Sequence, residues 1–373
     1  GPMIELVASH VPMQYIKRRV SSQTKILTLN MAHQQTPMFA EGLPDPEKIF
    51  QSWWPIIIAL AGGLLYGFRQ YMRGARCFSE VKLNGKVAIV TGATSGIGKH
   101  VAEDFARRGC RVYITCRNME QGKKVVEEIQ EKTKNINIFA EECNLASFKS
   151  VRAFVKKFRE KEEKLNILVN NAGVMMCPYA ETEDKFEEQF QVNFLSHAML
   201  THLLLDLLKN STPSRIINTT ANAFSLGVIN FEDVNFKSHE YSPGVGYSQS
   251  KLAVVAFSLA LSEHLQDTGV SVYIINPGVV NTNLHRHMPF RQNAFISLGF
   301  SPFFWYLTKA PEDGAQTTIY CAISENLENV SGQYYKRECQ KEKIDMDTVK
   351  TELPRKTWDA SLNWLHIQKF GDV

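Results

Sequence analysis

Lys86–Gly109 reads KVAIVTGATSGIGKHVAEDFARRG. Val87, Ala88, Ile89 and Val90 make a short unbroken apolar run, as a strand buried on both faces requires. A glycine-rich turn follows, and then a stretch in which Val101 and Phe105 recur on one helical face. Gly92, Gly96 and Gly98 carry no Cβ, so the chain turns tightly and backbone N–H groups approach an anion closely. The helix that begins there directs its positive dipole end at the same point. Strand, turn and helix in this order predict a dinucleotide-binding unit.

The same alternation continues outward. Strand candidates are Lys86–Thr91, Arg111–Thr115, Asn135–Glu141, Ile167–Asn170, Arg215–Thr219 and Ser271–Asn276, with amphipathic helical stretches between them. That rhythm predicts an α/β fold, a parallel sheet wound on both faces. The charged run at 156–164 (KKFREKEEK) reads as a solvated helix face. Gly314 to Ser324 reads as one more amphipathic helix, and the tail from Gln340 has no assignment.

TGATSGIG resembles the cofactor loop of the short-chain dehydrogenases/reductases. Asn170-Asn171-Ala172-Gly173 matches the family's NNAG segment, and Pro277-Gly278 in INPGVVNT matches the loop after its sixth strand. The resemblance implies a single Rossmann-type domain over 83–335. It assigns Gly92, Ser95, Gly96, Ile97, Gly98, Asn144, Asn171, Pro277, Gly278 and Thr282 to cofactor binding. Asn144 stands where the family usually carries an aspartate against the adenine.

The second strand ends at Cys116-Arg117-Asn118. NAD-binding relatives place a carboxylate near this point, about 20 residues past the glycines, on the ribose 2′-hydroxyl. None stands here. Arg117 instead offers a planar fork of donors to a 2′-phosphate, and Lys99 adds positive charge, so the cofactor expected is NADP(H).

Tyr247-Ser248-Gln249-Ser250-Lys251 opens a helical stretch, and residues four apart share one helix face. A phenol beside an ammonium has its pKa drawn toward working pH, as general acid–base catalysis requires. In the resembled family this pair is catalytic, and Asn193 in QVNFLSHAMLT matches the asparagine that holds a water and the lysine in a proton relay. One position departs. Where the family's strand ends in the serine that orients the substrate carbonyl, Arg215–Ala221 reads RIINTTA and places Ala221 there. Thr220 and Ser225 are the candidate replacements, although alternation along a strand turns Thr220 to the other face.

Trp53–Phe68 (WWPIIIALAGGLLYGF) carries no charge and has aromatic residues near its ends, as a membrane anchor would. Arg69, Arg73, Arg76, Lys82 and Lys86 follow it, which by the positive-inside tendency puts the C-terminal domain on the cytosolic side or in the mitochondrial matrix. The domain plan is therefore an extension at 1–52, an anchor at 53–68, the dehydrogenase at 83–335 and a C-terminal extension at 336–373.

The 373 residues carry a net charge of +4, and no basic run is interleaved with aromatics, so nucleic acid is not an expected partner. The seven cysteines have no CxxC spacing, which argues against a metal site or a disulfide framework and for a reducing compartment.

CRNMEQGKKVVEEI, NLASFKSVRAFV, NNAGVMM, GYSQSKLA and NPGVVNT are most similar to the retinol-dehydrogenase-like, membrane-associated branch of the family. That likeness implies a lipophilic carbonyl substrate (retinal-like, steroid or polyprenoid) and a homodimer. It also implies the endoplasmic reticulum, with lipid droplet and mitochondrial membrane as alternatives. Phe290, Phe295, Phe300, Phe303, Phe304, Trp305 and Tyr306, between Pro289 and Leu307, fall where that branch places its substrate-binding segment, with core packing an equal reading and contact with the membrane surface a further one. The function expected is NADPH-dependent reduction of that carbonyl. The alternative is a catalytically weak NADPH- and lipid-binding sensor or assembly partner, favoured by Ala221.

Overall fold

A computed structural model describes residues 53–282, 306–336, 340–342, 344, 349 and 351–372. The chain falls into two compact units, Gly1–Gly67 and Phe68–Val373. Helix α1 (Trp54–Arg73) begins in the first and buries none of its residues. Its uncharged part, Trp54–Phe68, is on the order of 22 Å long, short of a hydrocarbon core of roughly 30 Å. Among the described residues no helix is long and apolar enough to cross a membrane. The anchor expected at 53–68 coincides with this helix, whose described residues do not by themselves reach that length. A helix does form there, but Gly62, Gly63 and Gly67 dilute its apolar character and Arg69 follows at once.

The second unit is built on one sheet of eight strands in the order β3-β2-β1-β4-β5-β6-β7-β8. The strands are β1 (Val87–Val90), β2 (Arg111–Cys116), β3 (Ile138–Glu142), β4 (Ile167–Asn170), β5 (Ser214–Thr219), β6 (Val270–Asn276), β7 (Gln333–Lys336) and β8 (Gln340–Glu342). β1 to β7 run parallel, and β8 returns antiparallel beside β7. The helices are α2 (Gly96–Arg107), α3 (Met119–Thr133), α4 (Phe148–Arg159), α5 (Ser196–Asn210), α6 (Pro243–His264), α7 (Pro311–Ile323) and α8 (Leu353–Leu365).

Both faces of the sheet are apolar, so both must be covered. Val101 and Phe105 of α2, Val125 and Ile129 of α3 and Ile319 of α7 close one face over Val90, Ile114 and Val169. Phe154 of α4, Leu204 of α5 and Val255 of α6 close the other over Ile89, Leu168 and Ile216. Caps set the helix starts: the Asn118 side chain accepts from the N–H groups of Glu120 and Gln121 at the head of α3. Strand order reverses between β1 and β4, which opens a crevice at their carboxyl ends.

The six strands read from sequence all form. The tail beyond them is part of the same unit: Trp358 of α8 stacks on His264 (ring centroids 3.9 Å) and on Phe257 (5.5 Å) of α6. The run at 156–164 leaves α4 after Arg159 and is not a plain solvated face. Lys161 pairs with Glu141, and Glu162 takes both Arg111 and the Tyr113 hydroxyl. Of the segment expected to bind substrate, only Tyr306 and Leu307 are among the described residues.

Candidate active site

A cleft of about 540 Å³ opens at the crevice. Thr94, Ser95, Gly96 and Ile97 line one end, from the turn between β1 and α2. Gly92 and Gly96 hold φ of +65° and +58°, where an L side chain is strained. Gly98 lies behind the wall: a Cβ there would sit 2.5 Å from the Gly92 carbonyl oxygen, so it lets α2 pack on the turn. The turn's shape and the start of α2 fit a pyrophosphate.

Arg117, at the end of β2, lines the cleft, and Gln121 from the first turn of α3 joins it. Among the described lining residues there is no carboxylate, and the cations are Arg117 and Lys251. That donor set fits a 2′-phosphate. Lys99 does not contribute, because its ammonium is paired with Glu128 outside the lining. Asn144 lines the cleft with its side-chain oxygen accepting the Ala146 N–H at 3.1 Å. Asn171, Pro277, Gly278 and Thr282 line it as well.

Tyr247 and Lys251 sit on the first turns of α6, one turn apart, and both face the cleft. They are nearly buried, at 6% and 4% exposure. The Lys251 Nζ stands 5.8 Å from the centre of the Tyr247 ring and donates to the Thr219 carbonyl at 3.1 Å. Burial pulls the Lys251 ammonium down to about 8 and pushes the Tyr247 phenol well above its ordinary value. At neutral pH the tyrosine therefore holds its proton and the lysine its charge, and burial outweighs the downward pull on the phenol expected from the neighbouring ammonium.

Asn193 is placed behind the wall. Its Nδ2 donates to the Val174 carbonyl (2.9 Å) and to Ser250 Oγ (2.9 Å), while its Oδ1 accepts the Val174 N–H (2.8 Å). It does reach the lysine's neighbourhood. A Cβ added at Gly173 would lie 3.2 Å from Asn193 Oδ1 and 3.7 Å from Lys251 Nζ. Asn193 belongs to a π turn, Gln191–Leu195, and the widened turn lets Val192 face the cleft beside it.

Ala221 and Thr220 both line the cleft, and the Thr220 hydroxyl donates to the Lys251 carbonyl at 3.0 Å. Ser225 is outside the lining and bonds the Asn222 carbonyl at 2.9 Å. Neither hydroxyl is brought to the position that Ala221 leaves.

Sequence reading missed a buried knot below the site. The Thr91 hydroxyl accepts the N–H groups of Asn171 (2.9 Å) and Ala172 (3.0 Å) and meets His197 Nε2 at 2.9 Å. His197 Nδ1 faces the Asn193 carbonyl at 3.1 Å. A carbonyl only accepts, so Nδ1 carries the proton and Nε2 accepts from Thr91. Burial brings His197 down to about 4, which keeps it neutral and the tautomer fixed. The signal available was a histidine one turn after Asn193, indistinguishable in sequence from a core residue.

A sequence profile described as short chain dehydrogenase matches residues 86–292. Retinol dehydrogenase 13 of Mus musculus is 46% identical over 280 residues, 75% of this chain and 84% of that protein. Retinol dehydrogenase 11 of Homo sapiens is 40% identical over 318 residues, 84% of this chain and 98% of that one. A crystal structure of an uncharacterized protein from Mycobacterium paratuberculosis superposes with a TM-score of 0.63 at 26% identity, covering 79% of this chain and 98% of its own. The glycine turn, the Tyr247–Lys251 pair and these relationships agree: the chain belongs to the short-chain dehydrogenase/reductase family, in its retinol-dehydrogenase-like branch, and is an NAD(P)-dependent oxidoreductase of alcohol and carbonyl groups.

Proposed function

We propose that the protein reduces a lipophilic aldehyde or ketone with NADPH at a membrane surface. The observation that carries this reading is the Tyr247 phenol, buried and facing the same cleft as the glycine turn and the buried Lys251. Bound there, the dihydronicotinamide would supply the hydride to the carbonyl carbon. Tyr247 gives its proton to the carbonyl oxygen. The Lys251 charge favours the phenolate left behind. Asn193 acts as a positioning residue, holding Val174 and Ser250 around the lysine. Ser95, Gly96 and Ile97 would hold the pyrophosphate, Arg117 the 2′-phosphate, and Asn144, Asn171, Pro277, Gly278 and Thr282 the rest of the nucleotide.

The choice of NADPH is supported by Arg117 and by the carboxylate-free lining. A retinoid-like substrate is supported by the names of the relatives. Attachment to a membrane is supported by α1, where Trp54, Ile58, Leu60, Leu64 and Tyr66 are each at least 60% exposed. The helix would lie in the interface with its apolar residues among the acyl chains rather than span. By the family likeness, that membrane is the endoplasmic reticulum, with the enzyme on its cytosolic side.

A second reading, NADPH and lipid binding with weak turnover, is favoured by Ala221 and by the engagement of the Thr220 hydroxyl elsewhere. NADPH oxidation by the full chain in mild detergent, with all-trans-retinal, steroid ketones and polyprenal-type aldehydes, separates the two. Turnover with any of them supports the reductase; tight NADPH binding with none supports the binding protein.

A further inference from the structure

Arg69, Arg73 and Arg76 recur at helical spacing where α1 ends, and sequence reading assigned them to membrane topology. Each is instead bound to protein. Arg69 donates to the carbonyls of Tyr306 (3.2 Å) and Thr308 (2.7 Å). Arg73 Nε and Arg76 Nη2 grip the two oxygens of Asp313 at 3.2 and 3.1 Å, and that side chain is only 2% exposed. The Phe68 ring stacks on Tyr306 at 5.6 Å, and the Cys77 N–H donates to the Gln316 side chain at 2.9 Å.

The segment they hold reaches the cleft directly. Lys309 forms a parallel bridge with Val280, taking the Asn281 N–H (2.9 Å) and donating to the Val279 carbonyl (2.9 Å). Gly314 packs so closely that a Cβ there would lie 2.7 Å from a Val280 methyl. Val279, Val280 and Thr282 line the cleft beside Pro277 and Gly278. Arginines, Asp313, the Lys309 bridge and the loop after β6 thus form one continuous chain of contacts. Asp313 and the arginines lie outside or beyond the stretch 86–292 that the family profile matches.

We propose that Arg73 and Arg76, acting through Asp313, are positioning residues that hold the loop Val279–Thr282 in the shape that closes on the nucleotide. Asp313 is the keystone, because it is buried and carries two guanidinium groups. The inference rests on the nucleotide-binding reading of the cleft. Nucleotide binding by the unaltered protein tests that reading, and only the variants test the clamp.

The experiment uses the full chain in detergent and compares wild type with Asp313→Asn, Arg76→Gln and Arg76→Lys. NADPH affinity is measured by fluorescence titration, and backbone hydrogen exchange is followed without nucleotide. In Asp313→Asn and Arg76→Gln the expected Kd for NADPH rises about tenfold, and the loss appears in the nucleotide KM rather than in kcat. The Asn281 amide exchanges faster while those of Val87–Val90 do not change. Arg76→Lys restores affinity, since Arg76 meets Asp313 through one nitrogen, which a lysine can replace, and its second pairing, to Glu312 at 3.5 Å, is with an exposed carboxylate. Unchanged affinity and unchanged Asn281 exchange in either loss variant would overturn the proposal. So would acceleration spread evenly over the sheet, which marks general destabilisation. Should Asp313→Asn not fold, the half-exposed Arg76 still supplies the test.

Discussion

Replacing Lys251 by Met should abolish turnover while leaving the fold at neutral pH as stable as before, or more so. The lysine is 4% exposed and its ammonium is drawn down to about 8 by burial, against an ordinary value near 10.5. A base with a depressed folded pKa binds fewer protons folded than unfolded between those values. Stability therefore rises with pH from about 8 to about 10.5 and stays at its lower level below 8. At about 1.4 kcal/mol per unit the charged lysine costs the fold up to roughly 3 kcal/mol at neutral pH. Methionine fills a similar volume without the charge, but it leaves the Thr219 carbonyl without its 3.1 Å donor, a loss of about 1–2 kcal/mol. The expected net change at pH 7 is a gain of about 0–2 kcal/mol, which disappears by pH 10. Urea unfolding at a series of pH values, followed by fluorescence, measures it. A loss above about 2 kcal/mol at pH 7, together with a flat wild-type profile from pH 8 to 10, would refute the claim that a buried charge is kept for function at the expense of stability.

Other consequences are open to direct measurement. Arg117→Ala should weaken NADPH binding by about ten- to a hundredfold, as loss of a charged hydrogen bond implies, and leave NADH binding unchanged; equal losses for both would contradict the 2′-phosphate assignment. Ala221→Ser should raise kcat/KM by up to roughly a hundredfold, the worth of an oriented hydroxyl donor. No gain would mean that another group already fills the role. In flotation with neutral phosphatidylcholine vesicles the full chain should rise with the lipid even in about 1 M salt, because Arg69, Arg73 and Arg76, at and just after the end of α1, are bound to protein. A chain starting at Phe68 should stay behind, and strict dependence on anionic lipid would contradict apolar attachment.

What was legible in the sequence follows from range. β1, β2, β4, β5 and β6 declared themselves because a strand buried on both faces must be a short apolar run, and the glycine turn because its backbone excludes other residues. Tyr247 and Lys251 were legible because helical spacing puts them on one face and the resembled family carries its catalytic pair in that pattern. The Thr220 hydroxyl is engaged with the Lys251 carbonyl, a contact that strand alternation does not reveal. The rest depended on contacts between distant parts of the chain. Nothing near Trp358 announces that it stacks on His264, and nothing near Asp313 announces two arginines. The contacts of Arg69, Arg73 and Arg76 were hidden for the same reason, since a basic run beside an apolar helix does not announce what it packs on. Asn193 lies in a π turn, which sequence periodicity does not announce.

The central claim is that Tyr247 delivers the proton in a hydride-transfer reaction. Its most direct test is Tyr247→Phe in the full chain, measuring NADPH oxidation with retinal and NADPH affinity on the same preparation. The account predicts that turnover falls by about 10²–10⁴ while affinity stays within about threefold, less than 1 kcal/mol. Turnover that survives the substitution would contradict it.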